Sequence, residues 1–197
     1  MFTGRAIFST LVLMFVFPFL TVVLMGQSKQ QKGGSAQVGR GKYLSTIAGC
    51  NDCHSPKIFT PMGPAPDTTR LLSGHPANAQ TPNLPPGIVG MTPDTWGGIG
   101  TGDFTGWSGA WGTSFAANLT PDKETGLGSW TPEMFIKAMR TGKHMGSGRD
   151  ILPPMPWYNL AQMSEPDLKA LFAYLHSLPP ISNAVPDPVP PAEAPKK

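Results

Sequence analysis

The sequence predicts a small helical domain interrupted by a long proline- and glycine-rich region. Three observations point that way. The stretches "SWTPEMFIKAMRTG" and "MSEPDLKALFAYLHSLPP" repeat apolar residues at helical spacing between clear start and stop signals. Residues 35–48, "SAQVGRGKYLSTIA", carry a softer stripe of Val38, Tyr43, Leu44, Ile47 and Ala48, loosened by Gly39 and Gly41. Glycine and proline number 23 each, and half of them fall in residues 55–129, where they favour irregular loops. A length of 197 residues suits one domain with tails.

The first helix leads directly into "AGCNDCHSP". Cys50 and Cys53 are the only cysteines, and His54 follows at once. The spacing C-x-x-C-H is the attachment signature of a c-type haem. On a helical turn, residues three apart share a face, so both sulfurs reach one porphyrin edge and the histidine can turn a ring nitrogen to the iron. Other uses of two thiols fit less well. A thioredoxin-like motif needs a βαβ context, zinc needs four ligands, and a disulfide across two residues closes too small a loop to stabilise much.

Within 55–129, "PMGPAPDTT", "GHPANAQTPNLPPG" and "WGGIGTGDFTGWSGAWG" predict an ordered loop region with at most a short helical turn. "GGIGTG" has neither the lysine nor the preceding strand of a phosphate loop. Trp107, Trp111 and Phe115, spaced by four, are expected to pack against the haem or the core.

The two remaining helices are better marked. Thr131 is the N-cap of the first, with Pro132 at its first position and Gly142 as its stop; Phe135, Ile136 and Met139 form its buried face. Ser164 caps the second, with Asp167 three residues on, and Leu168, Leu171, Phe172 and Leu175 supply its stripe up to Pro179. His176 falls on its polar side and is expected in solvent. From Pro180 the chain is proline-rich, extended and expected to be partly disordered.

The iron's sixth position decides the chemistry, since a methionine sulfur raises the potential and closes the site. Among ten methionines, Met145, Met155 and Met163 lie in suitable places. Met155 in "ILPPMPW" is favoured, because Pro153, Pro154 and Pro156 reduce the freedom lost in fixing the sulfur. His144, in the basic loop "RTGKHMGSGRD", is the rival ligand.

Residues 6–25, "AIFSTLVLMFVFPFLTVVLM", hold twenty residues without a charge, long enough to span a bilayer. A cleaved signal peptide is the alternative, but no well-placed cleavage site follows. The expected organisation is an anchor or signal peptide over 1–26, a linker over 27–34, a haem domain over 35–182 and a proline-rich tail over 183–197. Net charge is +3, with no run of lysines interleaved with aromatics, so no nucleic-acid partner is expected.

Three blocks, "GKYLSTIAGCNDCHSP", "SFAANLTPDKETGLGSWTPEMFIKAMRTGKH" and "ILPPMPWYNLAQMSEPDLKALFAYLHSLPP", together resemble the monohaem class I c-type cytochrome domains of bacteria. The resemblance is closest to those serving as electron-transfer subunits of respiratory and dehydrogenase complexes. It implies an all-α class I cytochrome c fold, here with a long Pro/Gly-rich loop region and one transmembrane helix ahead of it. It further implies one covalent haem c on Cys50 and Cys53, with His54 and Met155 as axial ligands. The activity implied is single-electron transfer between redox protein partners, not catalysis. Because haem attachment in c-type cytochromes occurs outside the cytoplasmic membrane, the domain is expected on the periplasmic side, although Lys29, Lys32, Arg40 and Lys42 after the span would favour the cytoplasm. A haem enzyme or gas sensor with a labile sixth ligand, and a tethered structural or relay subunit, are the alternatives. Met155 lies 101 positions after His54, a longer separation than in compact cytochromes c.

Overall fold

A computed structural model describes residues 34–191. Contacts divide the chain into Met1–Gln37 and Val38–Lys197, and the core and the candidate site belong to the second unit. The predicted transmembrane helix, and the last six residues of the tail, lie outside the described residues. Among the described residues, no helix is long and apolar enough to cross a membrane.

Helix α1 covers 34–47. Two residues later α2 (Cys50–His54) carries the cysteine motif, followed by a hairpin of β1 (Lys57–Thr60) and β2 (Gly63–Pro66). Strands β3 (Gly98–Gly100), β4 (Gly106–Gly109) and β5 (Gly112–Phe115) form an antiparallel sheet in that order. Helices α3 (Pro132–Thr141), α4 (Trp157–Leu160) and α5 (Glu165–His176) complete the chain, with a 3-10 turn at His144–Gly146.

The helices form as their capping residues dictate. The Thr131 hydroxyl accepts from Met134 N, Pro132 needs no amide partner, and Gly142 stops α3 at φ 66°, where a Cβ is penalised. The Ser164 hydroxyl accepts from Asp167 N to start α5. Phe135, Ala138 and Met139 of α3 meet Leu168, Leu171, Phe172 and Leu175 of α5 in one core, with the Phe135 and Phe172 rings 5.4 Å apart. Burial of each such leucine is worth about 1.5–3 kcal/mol. Arg140 bonds to the carbonyls of Ala161 and Met163, fixing α3 against the chain entering α5.

Gly41 has a stronger role than a soft interruption of a helical stripe. A Cβ there would strike the Ala170 carbonyl and lie 2.7 Å from Tyr174 Cβ, so glycine permits α1 to cross α5 backbone to backbone. Arg40 then reaches Asp167 at 2.9 Å across the same crossing.

The all-α expectation needs correction. The helices surround the core as anticipated, but residues 57–115 contain two small sheets, giving a mainly helical fold. Trp107, Trp111 and Phe115, expected against the haem or the core, are half-buried on the β4–β5 hairpin. Trp107 lies on β4, Trp111 in the turn and Phe115 at the far end of β5, and glycines of the sheet give the two indoles room. A Cβ at Gly98 would lie 2.9 Å from the Trp111 ring, and one at Gly100 3.1 Å from Trp107. Glycine is dense here because two indoles lie against the sheet.

The proline-rich end is extended, yet it is bound where it is described. The Ile181 carbonyl accepts from Asn118 Nδ2 at 2.7 Å. Asn183 Nδ2 donates to the carbonyls of Ser73 (2.7 Å) and His75 (2.9 Å). Val189 exchanges two backbone hydrogen bonds with Thr113, covering part of the β5 edge. His176 is not simply solvated: its ring lies 4.1 Å from Phe172 and its Nε2 donates to the Leu127 carbonyl at 2.9 Å.

Two outcomes are expected. Gly41→Ala should lower stability by about 1–3 kcal/mol, as overpacking at a tight crossing does, while Gly39→Ala, with open space around it, should not; denaturant titration checks both. The Thr125 hydroxyl and amide hold the Asp122 carboxyl below its ordinary 3.8. A carboxylate with a depressed folded value contributes stability above its unfolded value and loses it as pH falls through the folded one. The unfolding temperature should therefore drop below about pH 4, and less steeply in Thr125→Val.

Candidate functional site

The site begins at the junction of α1 and α2. Gly49 turns the chain at φ 66°, which no L side chain adopts readily, and Cys50 starts a five-residue helix ending at His54. Lys57 Nζ donates to the carbonyls of Asn51 (3.1 Å), Asp52 (2.9 Å) and Ser55 (2.5 Å), satisfying the end of a helix too short to be stable alone. Ser55 Oγ donates to Asn51 Oδ1 and accepts from Leu72 N, both at 2.8 Å, which ties α2 to the following loop.

Both cysteines are free and half-buried. Burial pushes each thiol's pKa up, so both are protonated at neutral pH. His54 is buried, and burial pushes its pKa down against the opposing pull of its hydrogen bond to Ala117. Its Nδ1 lies 2.7 Å from the Ala117 carbonyl. A carbonyl only accepts, so Nδ1 carries the proton and Nε2 is left with an open lone pair. The tautomer and the ring orientation follow from that one bond.

The Ala117 carbonyl is in turn held by pairing of two loops. Leu119 N donates to Leu72 O, His75 N to Ala116 O and Gly74 N to His54 O, each at 2.8 Å. Gly74 has φ 81°, and a Cβ there would sit 2.6 Å from Ala116 O and 2.7 Å from Asn118 N. Only glycine lets residues 116–118 approach closely enough to meet His54.

Met155 is half-buried and packs against the core cluster that also receives Cys50, Leu119, Trp130, Ile136 and Ile151. The chain leading into it is fastened at two points: Ile151 N donates to Gly142 O at 2.7 Å, and Ser114 Oγ to Pro153 O at 2.5 Å. Met163, the other candidate near α5, packs against the same cluster at the entry to that helix. His144 is exposed and meets the Trp130 ring edge-on at 5.0 Å.

These residues fit a covalently held haem c. Two free thiols share one helical turn, a neutral imidazole has one nitrogen oriented and the other open, and a thioether lies on the apolar cluster that also receives Cys50. The cysteine motif pointed to Cys50, Cys53 and His54, and the flanking prolines to Met155. Neither pointed to Ala117, whose contribution is a backbone carbonyl, or to Lys57 or Ser114; only Gly74, a glycine in a loop, left any trace of the constraint it meets.

No family model matches the chain. The cytochrome c subunit of alcohol dehydrogenase (quinone) from Gluconobacter oxydans is 27% identical over 171 residues, 85% of this chain and 27% of that protein. The cytochrome c subunit of gluconate 2-dehydrogenase from Pantoea cypripedii is 29% identical over 155 residues, 78% of this chain and 26% of that protein. A nicotinate dehydrogenase subunit from Pseudomonas putida is 28% identical over 152 residues, 77% of this chain and 9% of that protein. The matched region thus spans about a quarter of the two cytochrome c subunits and about a tenth of the third relative. Over most of its length the chain is homologous to cytochrome c subunits of dehydrogenases.

Proposed function

We propose that this chain is a monohaem electron carrier serving a dehydrogenase, with Cys50 and Cys53 as the thioether positions and His54 and Met155 as the axial ligands. The observation that carries this reading is the hydrogen bond from His54 Nδ1 to Ala117 O, because it leaves Nε2 as an oriented lone pair on the helix that bears two free thiols. Bound haem c supplies a one-electron ferrous–ferric couple. The chain's part is to hold its ligands still and keep water away.

With haem bound, His54 would offer Nε2 in one tautomer, since its Nδ1 proton is engaged and its burial disfavours a second proton. The bonds to Gly142 and Ser114 restrain the chain leading into Met155 at two points, which lowers the freedom lost when a weak thioether ligand is fixed. Leu119, Trp130, Ile136 and Ile151 supply apolar walls that exclude water and lower the local dielectric, both of which bear on potential. The axial and thioether groups change no charge of their own during electron transfer.

Residues 6–25 are read as a membrane tether, with the haem domain on the extracytoplasmic side; the uncharged run of twenty residues and the covalent haem motif support this. A relay subunit fixed within a larger complex, rather than a free shuttle, is favoured by the relatives, two of which are named as cytochrome c subunits. Detergent extraction of a stoichiometric partner is the expected result, and a protein that runs alone would favour the shuttle.

The oxidised and reduced holoprotein should give low-spin visible spectra that carbon monoxide leaves unchanged. Met155→Ala should bind carbon monoxide stoichiometrically in the reduced state. Ready binding by the unaltered protein would mean an open sixth position and a catalytic or sensing role; an inert Met155→Ala would move the ligand elsewhere.

A further inference from the structure

A second buried network lies behind the site. His75 and Thr105 are almost completely enclosed, at 1% and 0% exposure. Thr105 Oγ1 donates to Asp103 Oδ2 at 2.7 Å, so its single proton is committed to the carboxylate. The 2.7 Å contact between Thr105 Oγ1 and His75 Nδ1 therefore has the imidazole N–H as donor. Thr101 Oγ1 and Thr105 N hold the other oxygen of Asp103 at 2.6 and 3.2 Å. Burial pushes Asp103 up, but the threonine bonds outweigh it and keep the carboxyl below its ordinary value. His75 is shifted down by burial and is neutral. Its Nε2 is sealed in the protein without a partner among the described residues, and the ring lies 4.7 Å from Phe115.

The same two residues grip one residue, Ala116, by their backbones. Ala116 N donates to Thr105 O, and His75 N donates to Ala116 O, each at 2.8 Å. With the side-chain bond between His75 and Thr105 the ring closes, and Ala116 is fixed at both of its polar atoms. The next carbonyl along the chain, Ala117 O, is the one that receives His54 Nδ1–H.

We propose that His75 and Thr105, anchored on Asp103, are positioning residues that press the Ala117 carbonyl against His54 and thereby set the electron density of the axial imidazole. The proposal rests on His54 being the axial ligand. A firm Nδ1–H bond makes the imidazole a stronger donor and favours the ferric state; a loosened one should raise the reduction potential.

The test uses the full-length holoprotein, with potentiometry and NMR exchange of the His54 ring proton in the reduced state. Thr105→Val removes the acceptor for His75 while keeping its shape. It should speed exchange of the His54 Nδ1 proton about tenfold, as loss of one supporting hydrogen bond would, and raise the potential. Thr105→Ser should restore both values, because the hydroxyl returns. Asp103→Asn, at the outer end of the network, should shift both in the same direction by less, and serves where the valine variant does not fold. Unmoved exchange and potential in Thr105→Val and Asp103→Asn would overturn the positioning role alone. Absence of a slowly exchanging His54 ring proton in the unaltered protein would overturn the ligand assignment beneath it.

Discussion

The hydrogen bond from His54 to the Ala117 carbonyl is the constraint on which the site depends. A five-residue helix does not hold a histidine at a fixed angle without help, and every nearby device acts on one end or other of this bond. Gly49 and Lys57 fix α2, which carries the donor. Gly74, His75 and Thr105 fix the acceptor by bringing residues 116–118 against the loop after the motif. The bond costs little to make and much to lose, because a buried N–H without a partner forfeits its solvation. It also does chemistry in a static way: it decides which ring nitrogen is free.

The long separation between His54 and Met155 acquires a physical meaning from this bond. Much of the excess chain is structured as a hairpin and a three-stranded sheet, and two of its pieces serve the site from behind. Segment 72–75 pairs with 116–119, and β5 sends Ser114 to the Pro153 carbonyl in the methionine loop. The extended end of the chain crosses the same region, with Asn183 holding Ser73 and His75, and Val189 paired to Thr113. The acceptor carbonyl, the methionine loop and the end of the chain are thus parts of one connected scaffold.

The helices around the core were legible because their signals are local. Thr131, Gly142 and Ser164 act on backbone groups within three or four residues, and the apolar stripes of α3 and α5 repeat at helical spacing. The cysteine motif was legible for the same reason, since its three groups are neighbours in sequence. The sheets were not, because a strand such as "GWSG" has no alternating pattern, and its Gly109 answers to the Trp111 indole arriving from the turn. Gly41 reads as a weak point in a helix when its role lies in a crossing with Ala170, which the local sequence does not contain. Ala117 acts through its main chain, and its side chain carries no trace of that role. A polar residue on a helix face reads as solvent-facing, which is why His176 misleads: Leu127 offers it a carbonyl from a distant loop.

The most direct test of the axial assignment is an NMR spectrum of the reduced, diamagnetic holoprotein with assigned histidine ring and methionine methyl signals. Nuclei held over the haem face are displaced strongly by its ring current. The expected result is one histidine, His54, and one methionine, Met155, carrying such shifts, with the Nδ1 proton of His54 retained. A shifted methyl from another methionine, a second shifted histidine, or no shifted methionine at all would contradict the axial pair.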